Sequence, residues 1–230
     1  MAAMTRRSYG QFCGLAHTLD VVGERWTLLI VRELATGPKR YTELADALTG
    51  IGTSLLATRM KQLETDGVIQ RRLDLDQPGS TVVYELSDSG RELASALLPL
   101  AVWGARHQMT GADAGEETFR AEWMLSFLAA DVGAAMPADH DAAVFEFHID
   151  DSTACLYVRG GRASVRPGPS ATPADVTVRA SARTVVSLVG GIDTLAEAIE
   201  QGRIEVTGDP VAIQALLTGV GKGLEEAAML

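Results

Sequence analysis

The chain has 230 residues, enough for one large domain or two ordinary ones, and its 47% apolar content is ample for packed cores. No apolar run approaches the roughly 20 residues of a membrane-spanning helix, and Met1-Ala-Ala-Met-Thr-Arg-Arg7 lacks the apolar segment of a signal peptide. Two distant cysteines exclude a disulfide framework, so a cytoplasmic, reducing compartment is expected.

The net charge of −10 is unevenly spread. Residues 1–110 hold 12 Lys+Arg and 12 Asp+Glu, while residues 111–230 hold 8 and 18. The neutral first half groups its cations at Lys39-Arg40, Arg59/Lys61 and Arg71-Arg72. Such clusters permit phosphate contact without demanding it.

In chain order, residues 11–19 read as a short amphipathic helix with Phe12, Leu15, Ala16 and Leu19 on one side. Asp20 is placed to cap a helix reaching Leu34, along which Val22, Trp26, Leu29, Ile30 and Leu34 recur at helical spacing. Gly37-Pro38 stops it. Tyr41 or Thr42 starts a short helix to Leu48, with Leu44 and Leu48 inward. After a glycine-containing connector, Leu56, Met60 and Leu63 form one apolar stripe at i, i+4 and i+7. Thr53 or Ser54 can cap this helix, and Gly67 suits the left-handed position past its end. Its other face carries Ser54, Thr58, Lys61 and Thr65, with Ala57 on the flank. A face of small polar side chains and one cation can approach the DNA major groove closely. An ordinary solvated helix face is the plainer alternative.

Beyond Gly67 the pattern alternates. Val68–Leu73 and Thr81–Leu86 read as strands joined through Pro78-Gly79, with Ile69 and Leu73 on one side and Val82, Tyr84 and Leu86 on one face. Ser89, with Glu92 at capping-box spacing, opens a helix through Leu93, Leu97, Leu100 and Trp103 to about Gln108. Three helices, a hairpin and a following helix make a winged helix-turn-helix.

The motifs along this stretch come in a specific order: Cys13, Val22-Gly-Glu-Arg-Trp-Thr-Leu-Leu-Ile30, Arg40-Tyr-Thr-Glu-Leu44, Ile51, Leu63-Glu-Thr-Asp-Gly-Val-Ile69 with Arg71, and Val83-Tyr-Glu-Leu-Ser87 followed by Gly90. In that order they resemble the HxlR-type regulators, bacterial winged-helix transcription factors allied to the MarR group. The resemblance covers about residues 11–105. It departs at Cys13-Gly14, where the family usually shows Cys-Pro, and at Glu24-Arg25, where a Gly-Lys pair is usual.

The resemblance implies a transcriptional regulator, a repressor before an activator, that binds double-stranded DNA at a palindromic operator as a homodimer. Residues 11–19 and 88–108 hold the place of the family's dimer helices; packing on their own domain is the alternative. Ser54, Ala57, Thr58 and Lys61 would read the groove, and Lys39, Arg40, Thr53, Arg59 and Arg72 would sit on phosphates. Cys13 occupies the place where some members carry a redox switch, and Arg7 or a helix N-terminus could lower its pKa. A structural thiol is the blander account.

Gly111-Ala-Asp-Ala-Gly115 reads as a linker, dividing a DNA-binding domain at 1–110 from a second domain at 116–230. There, residues 117–130 read helical. Val144–Ile149, Ala154–Val158 and Arg162–Val165 read as strands, the last two joined by Gly160-Gly161. A Pro/Ser/Gly loop at 167–173 precedes a strand at 175–180 and a helix at 183–189. Asp193 is expected to cap a helix to Gln201, followed by a strand at 202–207 and a last helix from Asp209 or Pro210 to Leu217. The fold class is α+β in total.

Ala174-Asp-Val-Thr-Val178 and Arg203-Ile-Glu-Val-Thr-Gly-Asp209 resemble the sterol carrier protein 2 fold over about residues 118–219. That resemblance implies a sensor for a hydrophobic small molecule, with Trp123, Phe127, Phe145, Phe147 and Tyr157 as ligand contacts. For each of these taken separately, a place in the core is the plainer reading. His17, His107, His140 and His148 lack ligand spacing, and Gly219-Val-Gly-Lys-Gly223 fits no phosphate-binding loop. No metal, cofactor, membrane partner or catalytic residue is expected, so the chain is not read as an enzyme. The competing function is a lipid-binding carrier whose winged helix mediates protein contacts.

Overall fold

The computed structural model describes residues 8–74, 81–109, 117–140 and 142–228. Backbone contacts divide the chain into two units, Met1–Ala94 and Ser95–Leu230. This division falls ahead of the boundary expected near residue 110. The expected linker and the Pro78-Gly79 turn lie outside the described residues.

The first unit runs α1 (Gly14–Val22), α2 (Thr27–Ala35), α3 (Tyr41–Ala47), α4 (Thr53–Thr65), β1 (Ile69–Asp74), β2 (Thr81–Leu86) and α5 (Asp88–Ser95). Ile30, Val31, Leu34, Leu44, Leu48, Leu56, Met60 and Leu63 are buried and form its core. The strands pair antiparallel with Arg71 opposite Tyr84. Lys39 extends the ribbon, its backbone exchanging hydrogen bonds with Tyr84 at 2.9 and 2.8 Å. Val83, on the face opposite Val82 and Tyr84, is the residue buried in mid-strand.

Several expected caps are corrected. Asp20 does not open a helix to Leu34: it lies within α1, and its carboxylate accepts from the Ser8 hydroxyl and the Tyr9 N–H. The chain breaks at Gly23, where a Cβ would stand 2.5 Å from the Leu19 carbonyl oxygen, and Trp26 takes φ 79 before α2 starts. Gly52, not Thr53 or Ser54, is the N-cap of α4, while Gly67 has the expected left-handed φ of 71. Ser87 rather than Ser89 caps α5, accepting from the Gly90 N–H at 3.0 Å; Ser89 donates to the Gly67 carbonyl.

The expected single helix over 88–108 is two. α5 ends at Ser95 and α6 spans Leu97–Gln108, with Ala96 between them. Pro99 supplies the reason: it has no N–H to offer Ser95, and its ring crowds that carbonyl.

The second unit continues with α7 (Ala121–Ala135), β3 (Ala142–Ile149), β4 (Ser152–Arg159), β5 (Arg162–Pro167), β6 (Val176–Ala180), α8 (Ala182–Val189), α9 (Leu195–Glu200), β7 (Ile204–Gly208) and α10 (Pro210–Ala228). Its sheet has the order β5-β4-β3-β6-β7. β3 and β6 are parallel and the other pairs antiparallel. α7 and α10 pack together, α7 also covers the sheet, and α6 packs on α8 and α10. Thr194, not Asp193, caps α9 in a capping box with Glu197. Asp209 caps α10, which runs well beyond Leu217. The glycines of 219–223 serve packing: a Cβ on Gly219 would lie 2.6 Å from the Val132 backbone, so the bare glycine lets α10 approach α7 closely.

Candidate nucleic-acid interface

Leu56, Met60 and Leu63 anchor α4 in the core, which turns Ser54, Ala57, Thr58, Lys61 and Thr65 to the surface. Thr58 Oγ1 donates to the Ser54 carbonyl at 2.8 Å, and Thr65 Oγ1 to the Lys61 carbonyl at 2.9 Å. The Thr58 hydroxyl hydrogen is therefore spent inside the helix, leaving an oxygen acceptor and a methyl group to present outward. Lys61 forms no ion pair among the described residues. Exposed Thr53 lends its carbonyl to the Tyr41 hydroxyl at 2.7 Å, which ties α3 to the start of α4.

Beside this face lies an open cleft of about 330 Å³ between α3, α4 and the ribbon, lined by Tyr41, Ala57, Lys61, Arg71 and Tyr84 among others. Tyr41, Arg71 and Tyr84 were not among the residues expected to contact DNA. Arg71 Nε donates to Glu64 Oε1 at 2.7 Å, which fastens the ribbon to α4 and holds the guanidinium above its ordinary pKa. The signal was present but non-local: the Gly67 turn brings residue 71 back over residue 64.

The expected phosphate-contacting cations divide. Arg40 is exposed and sits 3.3 Å from Glu43, while Arg72 pairs with Glu85 at 3.2 Å. Exposed pairs of this kind are weak enough for a phosphate to compete with. Lys39 is half-buried and forms no ion pair among the described residues. Arg59 is the exception: its side chain is only 15% exposed and its guanidinium pairs with Glu24 at 2.7 Å. Unlike the other cations expected on phosphates, Arg59 lies on the flank of α4 toward the core with its charge engaged by Glu24.

In the second unit the five aromatics expected as ligand contacts divide by burial. Phe145 and Phe147 point to the inner face of β3 and are fully buried in the core, while Trp123, Phe127 and Tyr157 are half-buried. None of the five lines the open cleft of about 1430 Å³ found in this unit. That cleft lies at the C-terminal ends of the parallel strands β3 and β6, among Phe119, Arg120, Ile149, Arg179, Val186, Ile192 and Arg203. Asp150 accepts from the Ala182 N–H at 2.9 Å and Ser181 from the Thr184 N–H at 3.1 Å, so the start of α8 is already capped. Asp193 pairs with Arg203 at 2.6 Å, which, with the Ser187 hydroxyl, holds its carboxyl below the ordinary value.

The two cysteines differ sharply. Cys13 is exposed at the start of α1, where the backbone N–H groups of Ala16 and Leu15 lower its thiol pKa; Arg7 lies outside the described residues. Cys155 is buried beneath the Gly168 carbonyl at 3.4 Å, and burial with the Glu146 charge pushes its thiol up to about 11. Brief iodoacetamide treatment near neutral pH is expected to label Cys13 and spare Cys155, read by peptide mass spectrometry. Equal labelling would show that the burial of Cys155 does not persist in solution.

Among the described residues no group of acidic, histidine or cysteine side chains has the geometry to hold a metal ion. No described helix is long and apolar enough to cross a membrane.

Comparison with known proteins matches the HxlR-like helix-turn-helix family model to residues 21–112. The model of the alkyl sulfatase C-terminal domain matches residues 111–223, a different family name from the sterol carrier protein 2 fold expected there. An uncharacterized HTH-type transcriptional regulator of Synechocystis sp. is 36% identical over 96 residues, 42% of this chain and 70% of that protein. The HTH-type regulator YtcD of Bacillus subtilis is 40% identical over 90 residues, 39% of this chain and 71% of that protein. A crystal structure of YtcD aligns at 38% identity and a TM-score of 0.38, covering 41% of this chain and 96% of that one. With an exposed α4 face beside a paired ribbon, and relatives of this identity covered over more than two thirds of their length, the chain belongs to the HxlR-like helix-turn-helix family of DNA-binding transcriptional regulators.

Proposed function

We propose that the chain is a homodimeric, effector-responsive regulator that reads a palindromic operator with one α4 per half-site. The observation that carries this is the exposed α4 face, small and polar with Lys61 in no ion pair among the described residues, set beside the ribbon. Ser54, Ala57, Thr58 and Lys61 read base edges, while Thr53, Lys39, Arg40 and Arg72 orient the helix on phosphates. Dimerisation is supported by apolar side chains that no core covers: Phe12 just ahead of α1, Leu15 and Leu19 along it, and Leu100 and Trp103 along α6.

The sterol-carrier-like reading of residues 118–219 enters as the sensing half. Its cleft joins Phe119, Ile149, Val186 and Ile192 to Arg120, Arg179 and Arg203. An effector with both apolar and polar parts therefore fits better than a wholly apolar one. The position, at the carboxyl ends of parallel strands, is where open α/β sheets commonly hold ligands. α8 lines the cleft and packs on α6, so occupancy can be felt by a helix placed to build the dimer.

Band-shift titration on a palindromic duplex from upstream of its gene is the direct test. Retention of that duplex over an unrelated one is expected, with log affinity falling against log salt by about 0.9 per neutralised phosphate. Salt-independent retention would favour the carrier alternative. An effector is expected to change operator affinity; a ligand seen bound by native mass spectrometry that leaves affinity unaltered removes the sensing half of the reading.

A further inference from the structure

The turn between α1 and α2 reaches both α4 and the connector that precedes it. Gly23 closes α1, its N–H donating to the Leu19 carbonyl at 2.8 Å, and the Thr27 N–H donates to the Glu24 carbonyl at 3.2 Å. Trp26, at left-handed φ 79, turns its ring to the connector before α4, where a Cβ on Gly50 would lie 3.7 Å from Cη2. From this braced turn Glu24, whose side chain is 62% exposed, accepts from Arg59 at 2.7 Å.

We infer that Glu24 is a positioning residue that holds Arg59 of the recognition helix off the DNA backbone. Arg59 follows Thr58, one helical step of about 100° away, with a side chain long enough to swing toward either the turn or a phosphate. Glu24 keeps 62% of its side chain in water, so solvent screens the pair from that side and fold stabilisation is a small part of what it does. Its consequence lies in binding. Each phosphate neutralised adds affinity that is blind to sequence, and a regulator competes against a vast excess of non-operator DNA. Withdrawing one arginine from that count leaves short side chains and Lys61 to decide, which favours operator over bulk DNA. Glu24, one of the two positions at which the chain departs from the usual Gly-Lys of the resembling family, thereby acquires a role.

The test uses the full chain on an operator duplex and an unrelated duplex across about 50–200 mM salt. Glu24→Gln keeps the shape and removes the charge. It is expected to steepen the salt slope on the unrelated duplex by about 0.9, an additional loss of roughly 3-fold across that range. Arg59→Gln is expected to leave the parent slope unchanged, and the double variant to restore it. An unmoved slope in Glu24→Gln overturns the inference, as does a flattened slope in Arg59→Gln, which would make Arg59 a phosphate contact already. Arg59 is largely covered, so if Arg59→Gln fails to fold, Glu24→Gln alone decides. A parent chain with no salt dependence overturns this inference and the operator reading together, whereas a steep parent slope with an unmoved Glu24→Gln overturns this one alone.

Discussion

Alanine at Gly219 is expected to destabilise the second unit by about 1–3 kcal/mol, while alanine two residues along, at Gly221, stabilises it by about 0.5–1 kcal/mol. Both lie within α10, so intrinsic helix propensity favours alanine at each. Packing separates them. A Cβ at Gly221 meets nothing within 4 Å, whereas one at Gly219 falls 2.6 Å from Val132 Cα and N and 2.9 Å from the Asp131 carbonyl carbon. These are backbone atoms of α7 and cannot swing aside as a side-chain tip would. The helices must part, which also disturbs the Lys222–Asp131 ion pair at 2.7 Å. Urea unfolding followed by circular dichroism checks the pair; shifts of the same sign would show that the α7–α10 approach is not as close as described.

Thr58→Ala is expected to weaken operator binding by about 1–3 kcal/mol and relax base preference at one step in each half-site. Its salt slope should stay near the parent's, because no cation is lost. Thr58→Ser keeps the acceptor oxygen and removes the methyl group, so it separates hydrogen bonding from contact with a thymine methyl. Lys61→Ala should weaken binding too, and a variant that binds as tightly as the parent would place the docking face elsewhere. Measuring operator variants against each protein, rather than one affinity alone, keeps loss of reading distinct from loss of attachment.

Much of the first unit was legible because its information is local. The stripe of Leu56, Met60 and Leu63 is buried as its spacing predicts, and Gly67 adopts the conformation its type favours. The misreadings came where spacing continued across a break. Val22, Trp26 and Leu29 keep a helical interval through Gly23, and Leu93, Leu97 and Leu100 do so past Ala96, although a glycine and a proline interrupt the backbone. Pairing was the second gap. Glu24 lies 35 residues from Arg59, and nothing in the residues beside either marks the partnership. In the second unit, alternation placed Phe145 and Phe147 on one face of a strand, but not whether that face meets a ligand or a core. The cleft arises where strand ends and helix starts converge, an arrangement that sequence periodicity does not describe.

α6 has a consequence for how such a protein can be assembled from parts. By sequence it falls within the HxlR-like match, which extends to residue 112, yet it packs on α8 and α10, and Ala105 lies against the end of α8 at Gly190. A recombination joint placed at the apparent family border would separate α6 from α8 and α10, the helices it packs on. Grafting a foreign sensor there should give an insoluble or poorly folded chimera, whereas a joint near Ala96 moves α6 together with its packing partners. The helix is inherited with one half and housed by the other, so the two halves are not freely exchangeable modules.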